Sequence, residues 1–201
     1  MTRKQQIIET AIELFNEQGT KNVTTNHIAA KLGISPGSLY YYFKNKEEII
    51  REIFAMMDRI GMEEYGKVAS QYQIGTLEAM EHTFVMVQKF NWRFRFFKRE
   101  LTSLLHGDRE LMEAYTRTHQ GMLMIAKTGI LNSIACGNMV QMTQEEIDLF
   151  TEELWLLLIF WLNFLEIGGE EVNDETLARG NAVLRNAIKF RLTEKGLKEL
   201  R

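Results

Sequence analysis

Only one residue in this 201-residue chain is cysteine, Cys136, and only one is proline, Pro36. A single thiol excludes an internal disulfide framework and suits a reducing compartment, so Cys136 reads as a small core residue rather than a redox sensor. With almost no proline and no serine- or glycine-rich stretch, there is no segment for a disordered linker, and helical packing is broken only near Pro36. Charge of one sign is also scarce. A formal net charge of −3 argues against a protein that coats nucleic acid by bulk electrostatics, so any such recognition has to be local. Long apolar runs are missing too: Leu154 to Leu165, interrupted at Asn163, falls short of the roughly 18 residues that span a bilayer. The amphipathic N-terminus, QQIIETAIELF, carries no small-residue cleavage site, and the expectation is a soluble, cytoplasmic protein with no membrane partner.

Catalytic signals are equally sparse. His27, His82, His106 and His119 show no metal-ligand spacing, no glycine-rich phosphate loop is present, and Cys136 has no adjacent base. The paired acids Glu63-Glu64, Glu145-Glu146, Glu152-Glu153 and Glu170-Glu171 read as helix starts or exposed charge. No enzyme activity, metal or cofactor is expected.

Helical periodicity is what the chain does contain, from end to end, with no strand-like alternation and no internal repeat. The expected fold is all-α. The most informative stretch is Val23 to Lys46, VTTNHIAAKLGISPGSLYYYFKNK. Thr24 is a natural N-cap with Val23 placed to staple onto Ile28, and the helix it opens runs from Thr25 to Leu32, where Gly33 supplies the positive φ that ends it. Ser35 caps a second helix with Pro36 at its first position and Ile34 stapled to Leu39. Leu39 and Phe43, at i and i+4, point inward, which turns Gly37, Ser38 and Tyr41, with Tyr40 and Tyr42 at the flanks, towards solvent. A water-facing surface gains little from three tyrosines, but hydroxyls suit phosphates and rings suit thymine methyls. Asn45 then caps the next helix with Glu48 at the reciprocal position, placing Lys46 in its first turn, where an ammonium and backbone N–H groups can hold a phosphate. Without further information, the pattern is also that of a plain helical hairpin whose tyrosines cover apolar neighbours.

The run from Ile7 to Ile50 resembles the tetracycline-repressor (TetR) family of bacterial transcriptional regulators. The resemblance rests on the amphipathic first helix ending at Phe15 and Gly19, the Val23-Thr24-Thr25 lead-in, Ile28-Ala29, Gly33-Ile34-Ser35, and Leu39-Tyr40 through Phe43-Lys44-Asn45-Lys46. It implies an N-terminal helix-turn-helix domain over residues 1–46 and a helical ligand-binding and dimerisation domain over residues 47–201. It also implies a homodimer on a palindromic double-stranded operator, released when a small-molecule effector binds. Carried over residue by residue, the family's contact positions give Tyr40, Ser38 and Tyr42 as base readers. Thr25, Ser35, Tyr41 and Lys46 become phosphate contacts. Two departures are Tyr42, where the family often has histidine, and Gly37, which has no side chain to reach a base. An all-α dimeric ligand carrier or interaction protein that does not bind DNA is the alternative.

Beyond the reading unit, helices are expected over Asn45 to about Gln71, Thr76 to Phe90, Asn91 to Leu105, Asp108 to about Ile134, Gln144 to about Ile167, and Asn173 or Asp174 to about Leu192. Gly61 and Gly66 weaken the second half of the first of these. Phe84, Met86, Phe90, Phe94, Phe97 and Leu101 recur at near-helical spacing and, with Met122, Met124 and Trp155 facing them, are the candidate lining of an apolar pocket. Eleven methionines suit a malleable site for an apolar or amphipathic effector. Arg93, Arg95, Lys98 and Arg99 read as the solvated side of their helix, with an acidic head group the natural partner for any that turns inward. The helix around Trp155 is apolar nearly all round and must be buried on both sides. Facing its own core on one side and a second subunit on the other, it gives Phe160, Trp161, Phe164, Leu184 and Ile188 as the candidate dimer interface.

Overall fold

The computed structural model describes residues 1–199, and among them the regular structure is helical: α1 Arg3–Gln18, α2 Thr25–Leu32, α3 Pro36–Tyr40, α4 Lys46–Gln71, α5 Leu77–Arg93, α6 Arg95–Gly107, α7 Arg109–Ala135, α8 Gln144–Ile167, α9 Asp174–Ile188, a 3-10 turn at Lys189–Arg191, and α10 Glu194–Glu199. Side-chain caps set most of the starts. Thr2 with Gln5, and Thr143 with Glu146, form reciprocal capping boxes, and Asn173 Oδ1 accepts from Thr176 N at 3.0 Å. Asp108 caps α7 through Leu111 N at 3.1 Å while its other oxygen takes Arg51 at 2.6 Å. α4 runs unbroken through Gly61 and Gly66.

The chain divides into two compact units, residues 1–60 with 93–116 and residues 61–92 with 117–201. Sequence reasoning set a domain boundary after residue 46. The compact unit reaches further, because α6 closes its core. Phe94, Phe96 and Phe97 are buried there, with Phe96 tilted on Phe15 at 5.2 Å and Phe97 stacked on Phe54 at 5.5 Å. Burying a phenylalanine contributes roughly 1.5–3 kcal/mol, enough to commit α6 to this unit. Phe94 and Phe97, expected to line a ligand pocket, are therefore core residues of the first unit, and Leu101 lies half-buried on the same helix. The start of α6 is tied down as well: Asn16 Oδ1 accepts from Phe96 N at 3.0 Å, and Arg93, the last residue of α5, pairs with Glu9 at 3.1 Å.

In the second unit the core gathers Phe84 of α5, Ile130 of α7, Phe150, Trp161, Leu162 and Leu165 of α8, and Leu184 and Ile188 of α9. Gly180 lets α9 come close, since a Cβ there would stand 2.7 Å from both Phe84 Cε1 and Trp161 Nε1. Trp161, Leu184 and Ile188, expected at a dimer interface, are instead enclosed by their own chain, with the indole N–H of Trp161 donating to Thr176 O at 3.3 Å. The final helix ends at Ile188, not Leu192. There the chain turns to pair Leu192 with Met139 in an isolated antiparallel bridge and adds α10, which was not anticipated. Cys136 is a half-buried free thiol whose sulfur accepts from Gln73 Nε2 at 3.6 Å.

Candidate nucleic-acid interface and ligand cavity

The first unit builds its exposed polar and aromatic surface from α2, α3 and the turn that follows. Thr24 caps α2 through His27 N, and the His27 ring answers by accepting from Thr24 N at 3.3 Å, a capping box with an unusual third-position partner. Gly33 takes the left-handed conformation at φ 65°, and Ile34 N donates back to Ala29 O at 3.0 Å, closing α2 so that α3 can start at Ser35. Ser35 Oγ accepts from Ser38 N at 3.1 Å and also lies 2.9 Å from Ser38 Oγ.

α3 is shorter than the i, i+4 pattern suggested. Regular helix ends at Tyr40, and the chain continues as a turn in which Tyr42 N and Phe43 N both donate to Leu39 O. Leu39 and Phe43 nonetheless stay buried as the anchors of the segment. The three tyrosines face outward, Tyr41 at 83% exposure. Tyr40 OH is 3.3 Å from Thr25 Oγ1, and the Tyr41 and Tyr42 rings meet edge to face at 5.0 Å. The structure thus brings Thr25 beside Tyr40 and Ser35 beside Ser38, two hydroxyl pairs on the surface that also carries Gly37. Between Glu17 and Glu47 the sequence has Lys21, Lys31, Lys44 and Lys46 and no acid, so the local charge of this segment is positive although the chain is net negative.

Lys46 behaves differently from expectation. Its ammonium donates to the backbone carbonyls of Thr20 and of Val23, the latter at 3.1 Å, and so clamps the α1–α2 loop. The same loop is held from the other side, where the Glu100 carboxylate accepts from Thr20 N at 2.8 Å and from the Thr20 hydroxyl. Sequence spacing gave no hint of this clamp, since Glu100 lies 80 residues from Thr20. At the start of α4, Asn45 Oδ1 caps Glu48 N at 2.8 Å, while the Glu48 carboxylate takes Lys44 N rather than the expected Asn45 N.

The second unit contains a cavity of about 110 Å³ lined by Tyr65, Ile74, Gly75, Ala79, Met80, Thr83, Phe84, Ile125, Ala126, Gly129, Ile130, Leu154, Trp155, Leu158 and Leu184. Of the residues expected to line a pocket, it includes Phe84 and Trp155. Met86, Phe90 and Met122 are half-buried and outside this lining, and Phe90 and Met122 each stand 3.8 Å from where a Cβ on Gly61 would lie. Met124 is exposed. No side chain in the lining carries a full charge at neutral pH, and burial pushes the Tyr65 phenol above its ordinary range. On α8, Phe160 and Phe164 are each 53% exposed, and Leu149, Leu156 and Ile167 are exposed on the same helix.

Residues 7–53 match the family described as bacterial regulatory proteins, tetR family, and residues 59–200 match its companion, described as bacterial transcriptional repressor. The chain belongs to the TetR family. A TetR-family transcriptional regulator from Marinobacter aquaeolei VT8 is 31% identical, with 100% of this chain and 96% of that one covered and a TM-score of 0.87. A protein from Saccharomonospora viridis crystallised with choline shares the fold at a TM-score of 0.75, covering 95% of this chain and 97% of its own, at 17% identity. An HTH-type transcriptional regulator of Staphylococcus aureus is 46% identical over 46 residues, 23% of this chain and 25% of its own length. The match thus spans about a quarter of those curated relatives. This TetR-family member carries the family's N-terminal helix-turn-helix in α2 and α3. Among the described residues, no helix is long and apolar enough to cross a membrane and no group of histidine, cysteine and acidic side chains has the makings of a metal site.

Proposed function

We propose that this TetR-family regulator acts as a homodimeric repressor that holds a palindromic operator and releases it when a small apolar or amphipathic effector binds in the second unit. The observation that carries the DNA part is the acid-free surface of α2 and α3, where Tyr40, Tyr41 and Tyr42 are exposed and two hydroxyl pairs are already oriented. In this reading Tyr40, Ser38 and Tyr42 meet base edges, and Thr25, Ser35 and Tyr41 meet phosphates. Lys46 serves as a loop clamp first, and any phosphate contact it makes shares an ammonium that already has two carbonyl acceptors. Gly37 keeps the backbone of α3 near the bases. The effector part rests on the apolar cavity, and a small-molecule complex of a protein with the same fold supports it.

Selection of the purified protein against a random duplex library at physiological salt tests the reading. An enriched inverted repeat, with half-sites about one helical turn apart or somewhat more, is the expected result. A pool with no motif, from folded protein stripped of bound small molecules, overturns the repressor assignment in favour of a ligand-carrier or interaction role.

A further inference from the structure

Two glycines line the cavity of the second unit, and the fold accounts for only one of them. Gly75 has a φ of +99°, and a Cβ on it would stand 2.7 Å from the backbone carbonyl carbon of Asn132, so a larger residue is barred there. Gly129 has neither reason. It lies inside α7 without a positive φ, and no heavy atom beyond its own stretch of helix backbone comes within 4 Å of the place its Cβ would take. A glycine inside a helix destabilises it relative to alanine, and here no closer packing offsets that loss. Gly66 and Gly121 have equally empty surroundings, but both are exposed, whereas Gly129 is half-buried in a cavity wall. The lining residues of α7 are Ile125, Ala126, Gly129 and Ile130, at i, i+1, i+4 and i+5 and hence on one face, so the missing side chain leaves room on the side that α7 turns to the cavity.

The chemistry of the wall narrows what can fill that room. No lining side chain carries a full charge at neutral pH, and the Thr83 hydroxyl is spent on Ala79 O at 2.7 Å. His119 meets the Trp155 ring edge to face at 5.4 Å but is not part of the lining. A carboxylate or an ammonium seated here would lose its hydration with no counter-charge to replace it. Trp155 and Phe84 supply broad apolar surface, and a volume of about 110 Å³ is of the size class that accepts a single aromatic ring. We propose that the effector of this regulator is an uncharged apolar molecule built on one ring, and that Gly129 sets the largest substituent admitted by leaving its own side-chain space to the ligand. This rests on the ligand-gated reading above.

The test uses the full chain, freed of bound small molecules, with the series from benzene to butylbenzene run beside benzoate and benzylammonium. Binding is read by calorimetry, and release of the selected operator is measured in parallel. At least one neutral member is expected to bind about tenfold or more tightly than either charged compound. Gly129→Val occupies the empty position and is expected to keep the wild-type circular dichroism while weakening the best neutral ligand by about tenfold or more. Gly129→Ala, the smaller change, is expected to raise the melting temperature and move the preference to a shorter alkyl chain, and it decides the matter should Gly129→Val fail to fold. No binding by any neutral member, equal binding of the charged compounds, undiminished affinity in folded Gly129→Val, or an unchanged chain-length preference in Gly129→Ala overturns the assignment. Operator release by benzoate or benzylammonium as readily as by the neutral rings keeps ligand gating and overturns the assignment. Size-selective binding of neutral rings without release supports the site and removes the gating.

Discussion

Gly37 is a glycine that the folded chain does not require. A Cβ at this position meets nothing nearer than Ser35 Oγ at 3.9 Å, and the residue lies in α3 with no positive φ. Gly37→Ala is therefore expected to raise stability, by about 0.5–1 kcal/mol from helix propensity, while weakening operator binding if the backbone of α3 approaches the bases closely. Urea melts and operator titrations on the same preparation check both halves, and unchanged affinity removes the close-approach role. Lys98 carries a different burden. Burial pushes its ammonium down to about 8, against an ordinary value of 10.5, so at pH 7 the charged form is held at a cost in both sequence and fold that a neutral chain would not bear. Between about pH 8 and 10.5 the unfolded chain binds more protons than the folded one, and stability contributed by this site rises with pH across that window. Lys98→Met is expected to be more stable than wild type by on the order of 2 kcal/mol at pH 7, the side chain keeping some water, with the gap narrowing towards pH 10. A gap independent of pH rules out this account.

At the scale of elements, the α1–α2 loop is gripped from two helices, by Lys46 of α4 and Glu100 of α6, through Thr20 and Val23. Lys46→Met removes the donor to two carbonyls and is expected to cost about 1–3 kcal/mol of stability in addition to any loss of DNA affinity. A residue that only touches phosphate would lower the salt slope by about one and leave the melting curve alone, so the two readouts separate clamp from contact. Packing of α9 depends likewise on Gly180, and Gly180→Ala, which forces a methyl into Phe84 and Trp161, is expected to cost about 1–3 kcal/mol in thermal or chemical denaturation. What sequence made legible at this scale was whatever is written locally. The caps at Thr2, Thr24, Ser35, Asp108, Thr143 and Asn173 were readable because a cap and its partner lie within four residues. Contacts distant in sequence were not: Glu100 on Thr20, the aromatic stack of Phe54 and Phe97, and the close approach at Gly180 depend on which helices meet. That is also why a single stripe of aromatics from Phe84 to Leu101 was read as one pocket wall, when the structure divides it between two units at residue 93.

For the whole molecule, the question is what covers α8. Its sequence is apolar nearly all round, so periodicity alone could not say which side meets its own chain. The structure resolves it: Trp161, Leu162 and Leu165 are inside, while Leu149, Leu156, Phe160, Phe164 and Ile167 are exposed along one helix, spaced at seven, four, four and three residues. Contiguous exposed apolar surface of this kind marks an interaction site, and for the twofold operator proposed above the economical partner is a second copy related by that same axis. A dimer also changes the energetics of DNA binding, because two weakly charged heads each making a few contacts act as one ligand once joined. The expected behaviour of Phe160→Glu combined with Phe164→Glu follows. Both positions lie outside the chain's own core, so the variant should keep wild-type helicity and a cooperative melt. It is expected to sediment as a monomer and the wild type as a dimer, since four buried charges across a twofold interface have no partners. Affinity for a full palindrome should fall by a hundredfold or more, while binding to an isolated half-site stays equally weak in both proteins. If the variant instead remains dimeric and binds the palindrome normally, the exposed face of α8 has another use and the subunits meet elsewhere.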